Sequence, residues 1–344
     1  MKKIYILLVI TVSIFALTAC TSKEGLTQDK DFERLEVEIT HTITTGAQIN
    51  ETQDGFEGGQ TQTVTQTFLS NPKAVAIFSF DALDILDFVG LDETSITMLG
   101  IPKSNLPAYM STYQSSAYKN VGTLFMPDLD QLDLFNPDLI IIGGRSSRSY
   151  DLLSEQYPNA NILDISLVYG EYSEGLSRNV DNLGKIFPNV KEDLDQELLS
   201  ITQKMNEIKE VTTAYDALFI LVNGESLAFY GSDGRFAVLY DEFGFTPSDE
   251  KEDSGETHGE LIGYEYIAAI NPSVIFLMDR GAAIGNASGI SAVLNNALIK
   301  NTDAGTNEHI YELSSIAWYI SAGGFQSTYM MISDLENFTS NISS

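Results

Sequence analysis

Leu134-Phe135-Asn136-Pro137-Asp138-Leu139-Ile140-Ile141-Ile142-Gly143-Gly144-Arg145 aligns without a gap against Ala269-Ile270-Asn271-Pro272-Ser273-Val274-Ile275-Phe276-Leu277-Met278-Asp279-Arg280. In both stretches an apolar helix end runs into Asn-Pro, then into a short apolar run, and then reaches an arginine. Proline disfavours the α region at the residue before it, so each helix stops there. The apolar run has the composition of a strand covered on both faces. The arginine then falls just past the carboxyl end of that strand, the edge of an open α/β sheet at which ligands bind. Two copies of this unit, one in each half of the chain, predict two similar lobes. Their spacing is far too long for a solenoid, whose repeats recur roughly every 20–50 residues.

Further apolar runs lie at Ala74–Phe78, Asn161–Ile165 and Leu218–Val222, each alternating with helical patterns. Together they predict an α/β fold of two lobes, each a mainly parallel sheet with flanking helices. A looser correspondence sets Phe80–Gly90 beside Gly234–Gly244, each a loop entering a helix that closes on glycine. Between the lobes, Glu171–Phe187 carries Leu176, Val180, Leu183 and Ile186 in one stripe, and Pro188 ends it. The expected organisation is an N-terminal lobe over 69–170, a connecting helix over 171–188 and a C-terminal lobe over 189–344. Ahead of them, 21–68 reads as a tether and an N-terminal hairpin. Arg34–Ile43 alternates like a strand, and Thr44–Thr63, rich in Thr, Gln and Gly, reads as a flexible loop.

Lys2 and Lys3, the apolar run Ile4–Leu17 and the small residues before Cys20 form an export signal over residues 1–20. The run is too short for a spanning helix, which needs about 20 apolar residues. Leu17-Thr18-Ala19-Cys20 resembles the lipobox of bacterial lipoproteins, which implies that Cys20 becomes the first mature residue and carries the lipid. The alternative is a plain secretory signal with an incidental cysteine. Cys20 is the only cysteine of the 344 residues, so disulfides, zinc knuckles and iron–sulfur clusters are excluded. A formal charge of −29 argues against nucleic acid and against adhesion to anionic headgroups. The chain lacks a Gly-x-Ser-x-Gly elbow, a phosphate-binding glycine loop and a His-Glu-x-x-His helix, so it lacks the usual equipment of an enzyme.

With the lipobox, the motifs Val121-Gly122-Thr123-Leu124, Asn136–Arg145, Asn182–Phe187, Gly234-Arg235-Phe236, Thr257-His258-Gly259, Asp279-Arg280-Gly281 and Trp318-Tyr319 resemble one family. It is that of the siderophore-binding lipoproteins of bacterial ABC importers, nearest to the enterochelin and catecholate group. The similarity runs from about residue 69 to the end; the Gln/Thr-rich loop is a departure that touches no binding motif. The resemblance implies a non-enzymatic, monomeric receptor on the extracytoplasmic face of the membrane, with two lobes clamping the ligand in a shallow cleft. It has no intrinsic cofactor, and Fe³⁺ arrives as the siderophore complex. Arg145, Arg235 and Arg280 match the arginines that face the anionic chelate, with Trp318 also at the ligand. His258 and Tyr319 match the pair that completes the iron shell. Asp130 and Glu265 match the acidic residues that dock on the permease.

The chemistry is consistent with that assignment. Guanidinium is permanently charged, planar and weakly hydrated, which suits a multiply charged anion with acceptor oxygens. Ferric iron is hard and favours oxygen, with imidazole acceptable. A bis-catecholate supplies four oxygens to an octahedron, and a tyrosinate and a histidine fill the two positions left. Each residue also has a plainer reading: surface charge for the arginines, a solvated loop for His258, a core aromatic pair for Trp318-Tyr319, and exposed carboxylates for Asp130 and Glu265. Beside the enzyme already weighed, two rivals stand against the siderophore: the same binding fold with another cargo, namely haem or another iron chelate, which arginines can also meet, a cobalamin or a divalent metal; and a surface interaction or adhesive protein. One usable histidine argues against a divalent metal, and the paired Arg145 and Arg280 would have no purpose in an adhesin.

Overall fold

The computed structural model describes residues 26, 32–50, 55–249, 251, 259–286 and 288–342. β1 (Glu36–Asn50) and β2 (Gly55–Leu69) pair as an antiparallel ribbon in one register, from Glu36↔Leu69 to Asn50↔Gly55. The loop expected over Thr44–Thr63 is therefore corrected: its described residues lie in these strands. Threonine supplies the reason. Thr40 faces Thr65, Thr42 faces Thr63 and Thr44 faces Thr61 across the ribbon, and β-branched cross-strand pairs favour the pleated chain. Low apolar content means that this ribbon buries little along much of its length, not that it lacks strand structure.

The ribbon is fastened through His41, which is fully buried. Its Nδ1 accepts the Asp164 N–H (3.0 Å), so the ring proton sits on Nε2, which donates to Gln66 Oε1 (3.0 Å). Gln66 Nε2 in turn donates to the Tyr150 hydroxyl (2.9 Å).

The first lobe follows as β3 (Ala74–Ile77), α1 (Phe80–Phe88), β4 (Met98–Ile101), β5 (Lys119–Asn120), α2 (Leu129–Phe135), β6 (Leu139–Ile142), α3 (Tyr150–Gln156) and β7 (Asn161–Asp164). Its five strands form a parallel sheet in the order β5-β4-β3-β6-β7. Two helices then pack on each other, α4 (Tyr172–Ile186) and α5 (Lys191–Thr212), with Pro188 at the corner.

The second lobe runs β8 (Asp216–Asn223), β9 (Ser226–Phe229), α6 (Val238–Asp241), β10 (Thr246–Pro247), β11 (Glu260–Ile262), α7 (Tyr264–Ile270), β12 (Val274–Asp279) and α8 (Arg280–Ala283). Three short helices, α9 (Ile290–Asn295), α10 (Ala297–Lys300) and α11 (Asp303–Thr306), lead to β13 (Ile310–Glu312), α12 (Ser315–Tyr319) and α13 (Phe325–Ile342). The sheet order is β11-β9-β8-β12-β13, with β10 beside β8. Parallel β8-β12-β13 repeats β3-β6-β7, whereas β9 runs antiparallel where the first lobe has parallel β4.

The repeated Asn-Pro unit folds alike in both lobes. Asn136 (φ 51°) and Asn271 (φ 54°) adopt the left-handed conformation and return their N–H groups to Leu132 and Ile267, which closes α2 and α7. Asparagine tolerates that conformation because its short polar side chain bonds locally. The helices thus end on two residues acting together, an asparagine that turns the chain and a proline that bars continuation.

One apolar core spans both lobes. Ile77 and Leu163 of the first sheet share a cluster with Phe219 and Phe276 of the second through Leu183 of α4, Ile201 of α5 and Phe325, Met331 and Phe338 of α13. The lobes are therefore joined by packing as well as by the chain.

Candidate functional site

Arg145 stands in a 3₁₀ turn, Gly144–Ser149, directly after β6. Gly144 has φ 54°, a left-handed value suited to glycine, and its N–H donates to Ser166 Oγ (2.8 Å). Buried Ser146 accepts from Gly143 N–H (3.0 Å) and donates to the Phe78 carbonyl (3.2 Å). The ribbon braces the far side of the turn. Arg148 Nε donates to the Gly58 carbonyl (3.0 Å), and Asp151 Oδ2 accepts from Gly46 N–H (2.6 Å).

Arg280 opens α8, whose N-cap Asp279 is fully buried and accepts the N–H groups of Ala282 (3.0 Å) and Gly289 (3.1 Å). Arg235 lies in the turn between β9 and α6. Its neighbour Phe236 is buried and stacks on Phe219 with ring centroids 4.0 Å apart, which anchors that turn in the second lobe.

The three guanidinium groups converge on Tyr319. Arg145 from the first lobe and Arg235 from the second both donate to its carbonyl oxygen, at 2.9 and 2.7 Å. Arg280 Nε donates to the Tyr319 hydroxyl (3.0 Å), and another of its N–H groups reaches Asn223 Oδ1 (3.2 Å). The guanidinium carbons lie 5.2, 4.1 and 5.9 Å from the Tyr319 ring centroid for Arg145, Arg235 and Arg280. The negative face of an aromatic ring attracts a cation at such distances.

Burial pushes the Tyr319 phenol up. The Arg280 hydrogen bond and the charges of Arg235, Arg280 and Arg145 outweigh it and hold the phenol below its usual value. Arg145 is lowered by burial first and by the Arg235 charge second. Each guanidinium has five N–H donors, and the contacts named use one or two. A half-buried cluster of positive charge, contributed by both lobes, has the chemistry to attract an anion.

A periplasmic binding protein family model matches residues 89–317. The chain belongs to that family. This binding protein is 31% identical over 340 residues to the petrobactin-binding protein YclQ of Bacillus subtilis, covering 98% of this chain and 99% of the relative. It is 26% identical over 276 residues to the ferric-anguibactin-binding protein FatB of Vibrio anguillarum, covering 78% and 84%. The crystal structure of YclQ superposes with TM-score 0.72 at 32% identity, covering 86% of this chain and 98% of that one. A periplasmic catecholate-siderophore binding protein of Vibrio cholerae, VctP, gives TM-score 0.72 at 29% identity, with 79% and 96% covered. The two-lobe α/β fold expected from the repeat is the fold of these neighbours.

Not every expected residue of the binding protein joins the arginines. Trp318 does not: it is 2% exposed, lies among Phe219 and Phe243, and donates from Nε1 to Asp334 Oδ2 (2.9 Å). Successive residues of a helix point about 100° apart, so the neighbours Trp318 and Tyr319 face the core and the three arginines respectively. Cys20 and His258 lie outside the described residues. Asp130 and Glu265 are exposed and hold the same place, second in α2 and second in α7. Sequence reasoning misses Asn223 and the two carboxylates of α1, Asp81 and Asp84. Their signal is an acidic residue every third position, Asp81, Asp84 and Asp87, in an otherwise apolar helix.

Of the carboxyl groups that burial raises in the binding protein, three rise furthest. Burial pushes Asp81, Asp84 and Asp164 each up to about 6, against hydrogen bonds that pull them back. The folded state therefore holds their protons more tightly than the unfolded chain does. Their contribution to stability is fully present below the ordinary value near 3.8, declines as pH rises to about 6, and is flat above. His41, lowered by burial, acts in the opposite sense below its ordinary value of 6.5. Burial also raises Asp87, Asp241 and Asp334, while at Asp216 burial is outweighed by hydrogen bonds that lower it. With six carboxyl groups raised against His41 and Asp216, the thermal midpoint is expected to be higher at pH 5 than at pH 7.5. Calorimetric scans across that range check it, and Asp164→Asn should flatten the slope. A midpoint that rises steadily from pH 4 to pH 7 would contradict the assignment.

Proposed function

We propose that this chain is an extracytoplasmic solute-binding lipoprotein that captures a ferric catecholate siderophore between its lobes and delivers it to an ABC permease for iron uptake. The observation that carries the reading is the convergence of Arg145, Arg235 and Arg280, from both lobes, on Tyr319. Such a cluster suits a multiply charged chelate, because guanidinium forms charge-assisted hydrogen bonds to oxygen anions. The relatives named above, which bind petrobactin, ferric anguibactin and catecholate siderophores, support the same cargo. Tyr319 completes the ferric coordination shell together with His258. Its lowered phenol is already biased toward the oxygen anion that iron requires. Cys20 carries the lipid anchor, the receptor acts as a monomer, and Asp130 and Glu265 meet the permease.

Intrinsic fluorescence tests this directly. Trp318, the only tryptophan, immediately precedes Tyr319, so ligand arrival is expected to quench it. Protein lacking residues 1–20 is titrated with a ferric bis-catecholate and, separately, with haem, alongside Tyr319→Phe and His258→Ala. Tight catecholate binding that weakens in both variants, with a shifted charge-transfer band, is expected. Binding indifferent to both variants would keep the receptor and remove the two protein ligands. Binding of haem alone would replace the siderophore reading.

A further inference from the structure

Tyr319 sits at the end of α12, and the chain from Ser321 to Thr328 turns a tight corner into α13. Side chains from outside the second lobe hydrogen-bond to five of its eight residues. Asp84 of α1, 1% exposed, accepts the N–H groups of Gln326 (2.6 Å) and Ser327 (3.0 Å) with its two carboxylate oxygens. These are donors of the first turn of α13, which have no partner inside the helix. Tyr109 of the first lobe donates to Asp84 Oδ2 (2.7 Å) and meets Ser321 Oγ (2.9 Å). Tyr172 of α4 donates to the Ala322 carbonyl and meets Thr328 Oγ1, both at 2.7 Å. A Cβ on Gly324 would overlap the Asp84 carboxylate, and one on Gly323 would meet Leu167 at 2.8 Å and Asp81 at 3.1 Å. Glycine at both positions is what lets the corner close on the first lobe.

A helix cap can come from the residues just before the helix. Here it comes from a buried carboxylate 242 residues away in the other lobe, and burying an ionisable group is costly unless its partners compensate. The Tyr319 carbonyl, the shared acceptor of Arg145 and Arg235, lies two residues before the gripped segment. We infer that Asp84 is a positioning residue of the binding site: by capping α13 from the first lobe it fixes the corner that carries Tyr319, and thereby sets the arginines of both lobes at their separation before ligand arrives. The inference rests on reading the arginine cluster as the ligand site. It implies a cleft organised in advance, whose ordering cost is met on folding rather than on binding.

The test uses the full chain with Cys20→Ser in detergent, comparing Asp84→Ala and Asp84→Asn with a control, Phe276→Leu, which thins the core away from the corner. Asparagine keeps the shape and one acceptor oxygen, so it folds even where alanine does not. Hydrogen exchange of peptides spanning residues 315–330 is measured without ligand, and ferric bis-catecholate affinity is measured in the parent and in an Arg145→Ala, Arg235→Ala background. Exchange at 315–330 is expected to quicken at least tenfold in Asp84→Ala, less in Asp84→Asn, and not in Phe276→Leu. Affinity is expected to fall by roughly tenfold, the size of a coupling between neighbouring groups, and that loss is expected to vanish once the two arginines are gone. Unchanged exchange, or a loss of the same size in the arginine-free background, overturns the inference. Quickened exchange in a chain whose parent binds no ferric catecholate overturns the ligand reading and leaves the latch standing.

Discussion

Arg145→Ala combined with Arg235→Ala is expected to lower affinity for a ferric bis-catecholate by about 10²–10⁴-fold while the protein stays folded. A hydrogen bond to a charged group contributes about 1.5–3 kcal/mol, and each 1.4 kcal/mol is about tenfold in affinity. Two such contacts, one from each lobe, give that range. The fold is expected to survive because these side chains are half-buried, and each lies within reach of the other's charge. Removing both deletes a repulsion along with two contacts to one carbonyl. Arg235→Lys separates charge from geometry: it keeps the cation and loses the planar fork, so an intermediate loss is expected. Titrations at low and high salt check the electrostatic share, which is screened as ionic strength rises. Unaltered affinity in the double variant would remove the arginine cluster from the binding site.

Trp318→Ala is expected to cost about 3–5 kcal/mol of stability, the usual range for deleting a large aromatic side chain from a core. The ring packs beside Phe219 and Phe243, and its Nε1–H supplies one of the bonds to Asp334, whose carboxyl is raised by burial. Alanine removes the packing and that donor together. Trp318→Phe retains most of the packing and loses the donor, so it is expected to cost less. Because the indole faces the core, calorimetric affinity for the ferric chelate is expected to be nearly the same in Trp318→Phe as in the parent. Urea unfolding followed by circular dichroism measures the stability, since the variants lack the tryptophan signal. A large affinity loss in Trp318→Phe at unchanged stability would return the indole to the ligand.

What could be read from the chain alone follows from how local each signal is. Leu139–Ile142 and Val274–Asp279 declare themselves as buried strands because their neighbours in sequence are enough to say so, and the Asn-Pro units before them mark both helix ends. Arg145 and Arg280 follow from that same repeat. Arg235 has only the looser correspondence to Phe80–Gly90, in which both segments do close on left-handed glycines, Gly90 and Gly244. The threonine ribbon is misjudged when polarity is taken for disorder, because its regularity lies in the pairing of Thr42 with Thr63 and not in either strand by itself. Trp318 is misjudged when adjacency in sequence is taken for adjacency in space. Asp84 stands out in the sequence as an acid in an apolar helix, but its role is hidden for a different reason: what it does depends on Gln326 and Ser327, and only the folded chain brings them together.

The shared core also orders events in time. A chain that leaves the ribosome amino end first presents both sheets before α13 exists, yet Phe325, Met331, Ile332, Leu335 and Phe338 of that helix fill the interior common to the two halves. Contacts so distant along the chain form slowly, because a large loop must close before they are rewarded. Until residues 325–342 have emerged, the polypeptide lacks the piece that completes its interior.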